Sequence, residues 1–348
     1  MRKEFDYSKL AARTFDKEIV NYIGLIHEFK GRQELYLKQK PEELDKLIVL
    51  SKIQSTESSN EIEGIVTTNQ RFLQLMNEKT TPKNRDEQEI KGYRNVLDII
   101  HGNFEFITIR PNMILQLHRE LYKFSDEHFG GKFKDTPNEI EAIKKDGTKI
   151  ILFRPLEPFE TPEAVERLCK EYDKAINKYN IDPLIVIPVF IHDFLCIHPF
   201  NDGNGRMSRL LTMLLFYKSG YEVGKYISLE KKIQTTKSDY YDALQKSSLG
   251  WIDDKNDDTP FIKYMLGIIL AAYRDFEERV NIVGKKMSTR EMVEKAVNSR
   301  IGKFTKAEIA ELCPEISKGS VEQALKALCE EGKIKKEGVG KSTFYHLI

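Results

Sequence analysis

Residues 197–211 read IHPFNDGNGRMSRLL, and the chain on either side is organised around them. The preceding stretch, Leu184 to Ile197, is almost wholly apolar and predicts a buried helix. That helix must stop at His198, because a residue before proline is pushed out of the helical region. A polar loop, Asn201 to Gly205, follows, and a second apolar-rich helix runs on to Gly220, a residue suited to a left-handed C-terminal cap. Gly203 and Gly205 let successive backbone N–H groups converge, and the new helix adds its own unsatisfied donors and the positive end of its dipole. The layout is an anion site. Arg206 and Arg209 lie on one side of the first turns, where the macrodipole disfavours a cation by about 0.3–1 kcal/mol, and a bound polyphosphate would remove that conflict. Asp202 offers a hard oxygen to Mg2+, which commonly bridges one or two carboxylates and substrate phosphates. His198 offers an imidazole able to take a proton from a hydroxyl near neutrality. Singly, each residue fits a solvated turn or a core histidine; as a set at this spacing they describe phosphoryl or nucleotidyl transfer.

At 348 residues the chain is too long for one ordinary core, and at ~100–200 residues per domain it predicts two or three units. With 31% charged and 40% hydrophobic residues it has the balance of a globular protein, not of a disordered or fibrous one. Fifty-five basic against 54 acidic side chains select neither nucleic acid nor membrane as a partner. The start, MRKEFDYSKL, has no apolar signal region, so the expected location is cytoplasmic. Cys169, Cys196, Cys313 and Cys329 show no CxxC pairing and fit reduced thiols, which leaves zinc without a ligand set.

Helical periodicity dominates. One helix is predicted over 41–63, opened by Pro41 and two glutamates, with Leu44, Leu47 and Ile48 on one face and a stop at Gly64. Others are predicted over 86–100, from Asn112, and from Thr161-Pro162 to about Asn180. Asp146-Gly147 between two apolar-containing runs predicts a hairpin over 139–153, and the lack of strand–helix alternation elsewhere argues against a doubly wound nucleotide-binding sheet. After Gly284, helices near 288–299, 305–313 and 318–331 and two short strands around a glycine turn suggest a winged helix. That segment carries 13 Lys/Arg against 9 Glu, a net of +4. The expected class is therefore mainly α: an N-terminal helical region over 1–109, a core and helical extension over 110–284, and a winged-helix unit over 285–348.

HPFNDGNGR with Arg209 three residues on resembles the Fic family signature, H-x-F-x-D/E-G-N-G-R-x-x-R, at every fixed position, and the likeness extends over roughly residues 110–245. The resemblance implies a protein adenylyltransferase that moves AMP from ATP to a Ser, Thr or Tyr hydroxyl of a protein target, or of itself. On that likeness His198 would be the general base and Asp202 would hold Mg2+. Gly203, Asn204 and Gly205 would cradle the phosphates, Arg206 and Arg209 would bind the β- and γ-phosphates, and Phe200 would anchor the loop. The retained glycines favour AMP transfer over the phosphorylation of the related Doc-type enzymes. The 139–153 hairpin would be the family's flap, which pairs with a target strand. Lys134 stands where the family often has Arg. Tyr240 and Tyr241 resemble nucleotide-side tyrosines, with ordinary helix packing as the alternative.

SSNEIEG, ending the 41–63 helix, fits the family's inhibitory signature S/T-x-x-x-E-G/N. Glu63 opposes the helix dipole and gains nothing locally. By resemblance it would pair with Arg209, with Ser59 on the same face, and hold the enzyme weak; alternatively, Glu63 would activate water for removing AMP. GVGKST at 338–343 lacks the first glycine of a P-loop, and HRELY at 118–122 lacks the second histidine of a zinc-protease motif. The third C-terminal helix mixes Lys318 and Lys326 with Glu322, Glu330 and Glu331, a poor phosphate-contacting face. DNA binding, protein contact and homodimerisation stay open for that unit. A DNA-binding regulator with a vestigial Fic core is the second hypothesis for the whole chain, and the intact His198, Asp202, Arg206 and Arg209 argue against it.

Overall fold

The computed structural model describes residues 3–39, 41–143, 149–283, 288–300, 302–314, 316–338, 340 and 343–348. Among them the elements run, in chain order, α1 (Ser8–Ala11), α2 (Lys17–Gln39), α3 (Pro41–Ile62), α4 (Asn69–Met76), α5 (Arg85–Asn103), α6 (Pro111–Leu121), β1 (Ile140–Ile143) and β2 (Lys149–Phe153). They continue with α7 (Thr161–Asn177), α8 (Pro183–Ile197), α9 (Asn204–Lys218), α10 (Leu229–Thr235), α11 (Lys237–Ser248) and α12 (Thr259–Val283). The C-terminal elements are α13 (Thr289–Asn298), α14 (Lys306–Leu312), α15 (Lys318–Glu330), β3 (Ile334–Glu337) and β4 (Phe344–Leu347). The fold is mainly α.

α8 is the axis. Its residues are buried on every side and it packs against α7, α9, α11 and α12, as expected of a helix that is apolar all round. Asp182 caps it by accepting from the Leu184 N–H, and Pro183 at the first position loses no intrahelical bond. One hydrophobic core runs through α2, α3, α5–α9 and α12 and includes residues on both sides of position 110. α4 adds a small cluster of Phe72, Leu75 and Met76 against Ile90 of α5.

The strand pair expected over 139–153 forms between β1 and β2, antiparallel, with Ile143 opposite Lys149. Its Asp146-Gly147 turn lies outside the described residues. The C-terminal segment has its own core, in which Val293, Leu325, Ile334 and Tyr345 are buried. Ser288 and Thr305 start α13 and α14 with reciprocal capping boxes, and β3 pairs with β4 in the register Ile334↔Leu347. Part of GVGKST and the boundary expected at 284/285 lie outside the described residues. Among the described residues no helix is long and apolar enough to cross a membrane.

Candidate active site

His198 ends α8 in the left-handed region, φ 50° and ψ 63°, an uncommon conformation for a residue with a side chain. The turn throws its ring towards the loop. Its Nδ1 donates to the Leu195 carbonyl at 3.3 Å, which leaves the Nε2 lone pair available. Burial lowers its pKa to about 4, so the imidazole is neutral at pH 7.

The loop is braced from behind. Asn204 closes it on itself, accepting from the Phe200 N–H at 2.9 Å and donating to the Phe200 carbonyl at 2.7 Å. The fully buried Phe200 ring stacks on His118 of α6 at 3.7 Å between centroids. The Gly131 N–H donates to His118 Nδ1 at 3.0 Å, so the proton sits on Nε2, which donates to the Asp202 carbonyl at 3.1 Å. Burial lowers this histidine to about 4 as well, which keeps that tautomer neutral. Lys134, buried and lowered to about 8 by desolvation, donates to the Ile197 carbonyl at 3.1 Å and to Asn138 at 2.9 Å, locking the end of α8 to the 131–138 segment.

Gly203 precedes α9 with φ 82° and offers no side-chain cap, so the first donors of α9 face the cavity. Asp202 fixes one oxygen on the Gly203 N–H at 2.6 Å and turns the other to Arg85 of α5 at 3.1 Å. The two motif arginines diverge. Arg206, fully buried, places Nη1 2.7 Å from Glu89 of α5 and donates from Nη2 to the Tyr122 hydroxyl at 2.7 Å. Arg209 turns to α3, with Nη2 2.7 Å from Glu63 and 2.9 Å from the Ser59 carbonyl, and Nε donating to Ser59 Oγ at 2.8 Å. The dipole conflict anticipated for two cations here is therefore met inside the protein, by Glu89 and Glu63, and needs no bound anion.

Glu63 follows the last turn of α3, and Gly64 continues the chain with φ 79°. Its carboxylate lies so close to Gly205 that a Cβ there would collide with Oε1; the carboxylate thus occupies the mouth of the anion cradle. Tyr240 is buried against Arg209 and Ser208, while Tyr241 is 42% exposed with its ring centroid 5.3 Å from that of Tyr240.

These groups surround one cavity of about 410 Å³ that His198, Asp202, Gly203–Arg206, Glu63, Arg85 and Glu89 line. Sequence reading overlooked Arg85, Glu89, His118 and Tyr122. HRELY carries a signal for two of them, because His118 and Tyr122 stand four apart on one helix face.

Residues 108–216 match the Fic/DOC family. Among curated relatives it is 26% identical over 187 residues to protein adenylyltransferase fic-1 of Caenorhabditis elegans, a match covering 52% of this chain and 32% of that protein. The chain thus spans about a third of the length of that relative. A Fic family protein from Desulfovibrio desulfuricans has the same fold with a TM-score of 0.60 at 21% identity, covering 97% of each chain. A Fic domain containing signaling protein from Bacteroides thetaiotaomicron gives a TM-score of 0.63 at 22% identity, covering 74% of this chain and 97% of that one.

Proposed function

We propose that the protein transfers AMP from ATP to a Ser, Thr or Tyr hydroxyl of a protein, and that Glu63 restrains it. The observation that carries this reading is the convergence on one cavity of a neutral imidazole, an exposed carboxylate and an uncapped glycine-led helix start. His198 Nε2 takes the hydroxyl proton as the oxygen attacks the α-phosphorus. The bond from that phosphorus to the α–β bridging oxygen breaks, and pyrophosphate leaves with the electron pair. The N–H groups of α9 hold phosphate oxygens, and Arg209 serves them once Glu63 has let go.

The donor set fits Mg2+: Asp202 presents a half-exposed carboxylate to the cavity, and one carboxylate plus substrate phosphates is how that ion is commonly held. When bound, Mg2+ would neutralise phosphate charge. The β1–β2 edge would take a target strand by main-chain pairing. We read 285–348 as a winged helix, supported by the three helices and paired strands among its described residues, with protein contact and DNA as alternative uses.

A second reading has support in Glu63 itself. A carboxylate lining the same cavity as His198 could accept a proton from water attacking an AMP-modified side chain, freeing AMP. Wild type, Glu63→Gly and Glu63→Gly/His198→Ala, incubated with Mg2+ and α-labelled ATP, separate the readings. Label that rises in the first variant and vanishes in the second supports AMP transfer. Absence of label in every variant, lysate proteins included, would overturn it and leave AMP removal, tested on a pre-labelled target.

A further inference from the structure

The N-terminus of α5 forms a wall of the cavity, and its first residue is a cation. Asn84 caps the helix by accepting from the Glu87 N–H, and Arg85 follows, where the dipole disfavours positive charge. Its side chain is 56% exposed and reaches three carboxylates: Nε lies 2.6 Å from Glu89, Nη2 3.1 Å from Asp202 and Nη1 3.7 Å from Glu127. Glu89 is buried, and its second oxygen is 2.7 Å from Arg206 Nη1, so one carboxylate tethers both arginines. Of the two arginines that line the cavity, Arg206 is enclosed and Arg85 is open.

Asp202 is the meeting point. One of its oxygens is fixed on the loop N–H and the other faces Arg85, with Arg206 more distant at 3.9 Å. A divalent cation on Asp202 and the guanidinium of Arg85 would compete for the same oxygen. We propose that Arg85 is a further polyphosphate-binding residue that exchanges with the divalent cation at Asp202. Without ligand it neutralises the carboxylate. When the cation takes that place, the Arg85 fork stays tethered through Nε to Glu89 and turns its Nη groups to phosphate oxygens beyond the α-phosphate. This rests on the reading of Asp202 as the Mg2+ ligand and adds to it a cation supplied from outside the 198–209 signature.

The test uses the full chain in a Glu63→Gly background, so that the Glu63 carboxylate does not compete for the cradle. Mn2+ binding without nucleotide is followed by water-proton relaxation, and binding of α,β-methylene ATP and of AMP with Mg2+ by calorimetry. Removing an exposed ion-pair partner of Asp202 in Arg85→Ala should tighten Mn2+ by about 3- to 5-fold. Loss of a charge-assisted contact should weaken the triphosphate analogue by about 10-fold or more and leave AMP within about 2-fold. Arg85→Lys should restore the Mn2+ affinity and only part of the triphosphate affinity, because an ammonium lacks the fork. If Asp202→Asn weakens Mn2+ but Arg85→Ala moves neither Mn2+ nor the analogue, the role of Arg85 is refuted and the metal reading stands. If Asp202→Asn leaves Mn2+ binding unchanged, the metal reading falls and the exchange with it.

Discussion

Replacing Glu63 with Gln keeps the shape of the side chain and removes the charge facing Arg209, and the structure sets how much that should matter. The pair is 2.7 Å long, with Arg209 3% and Glu63 32% exposed. Exposed ion pairs contribute about 0–1 kcal/mol and breaking a buried one costs about 3–5, so a half-open pair belongs near 2 kcal/mol. If Arg209 can serve phosphate only when the pair is open, the same 2 kcal/mol leaves the open form at about one part in thirty. Removing the pair should then raise the initial rate of AMP transfer about 30-fold. The two figures can be measured separately. A double-mutant cycle on Glu63→Gln and Arg209→Gln, by urea unfolding, gives the coupling energy. Trp251, the single tryptophan and fully buried in the main hydrophobic core, reports that core. A coupling near 2 kcal/mol with activation of about 30-fold supports the pair as the restraint. Activation of that size with negligible coupling would refute the reasoning, because the charge of Glu63 would then act by repelling phosphate from the cradle and not by holding Arg209.

Three more outcomes follow from the site. Because His198 is lowered to about 4, it is unprotonated throughout pH 6–8, so AMP transfer should show no His198 limb there and fall only on acidification towards 4; an acid limb near 6.5 in the rate profile of Glu63→Gly would contradict this. His101, His118 and His198 are lowered by burial to about 3, 4 and 4, so between pH 6.5 and 4 the unfolded chain binds more protons than the folded one. Their contribution to stability should therefore be intact above 6.5 and be lost with acid by at most about 4 kcal/mol per pH unit, which urea midpoints from pH 7 to 4.5 would check. Gly205→Ala should displace the Glu63 carboxylate without activating the enzyme, since the new methyl also narrows the phosphate cradle; a rate matching that of Glu63→Gly would show that the cradle has room to spare.

The 198–209 loop was legible because its chemistry is compressed into consecutive residues, with the helix stop, glycines, carboxylate and arginines all between 198 and 209. Its supports were not. Arg85 and His118 reach Asp202 across 117 and 84 residues of sequence, and RDEQEI by itself looks like an ordinary charged helix start. The same distance hid the diversion of Arg206 to Glu89 and Tyr122, since helical spacing places two arginines on one face but says nothing about which neighbours flank it. α2 escaped notice for a local reason. Ile19 and Ile26 are fully buried, but the exposed Val20 and Leu35 blur the stripe that periodicity depends on.

α3 shows where apolar patterning stops carrying information. Its first half is seated by Leu44 and Leu47, as the pattern indicates, but beyond residue 50 the buried face is mostly polar, with Ser51, Ser55, Thr56, Ser58, Ser59 and Asn60 ahead of a single buried Ile62. Ser51 donates to the Gly224 carbonyl at 3.1 Å, Ser55 to the buried Glu230 at 2.7 Å, and Ser59 Oγ accepts from Arg209. Such bonds replace hydration with partners in the protein, so each contributes about 1 kcal/mol net, where a fully buried leucine would contribute about 1.5–3. The end of α3 is thus held by several small, directional terms and little apolar area. A term of about 2 kcal/mol at Glu63–Arg209 is a large share of that sum. This is why the coupling in the double-mutant cycle and the activation on removing Glu63 should track each other, instead of being buried under a dominant hydrophobic contribution.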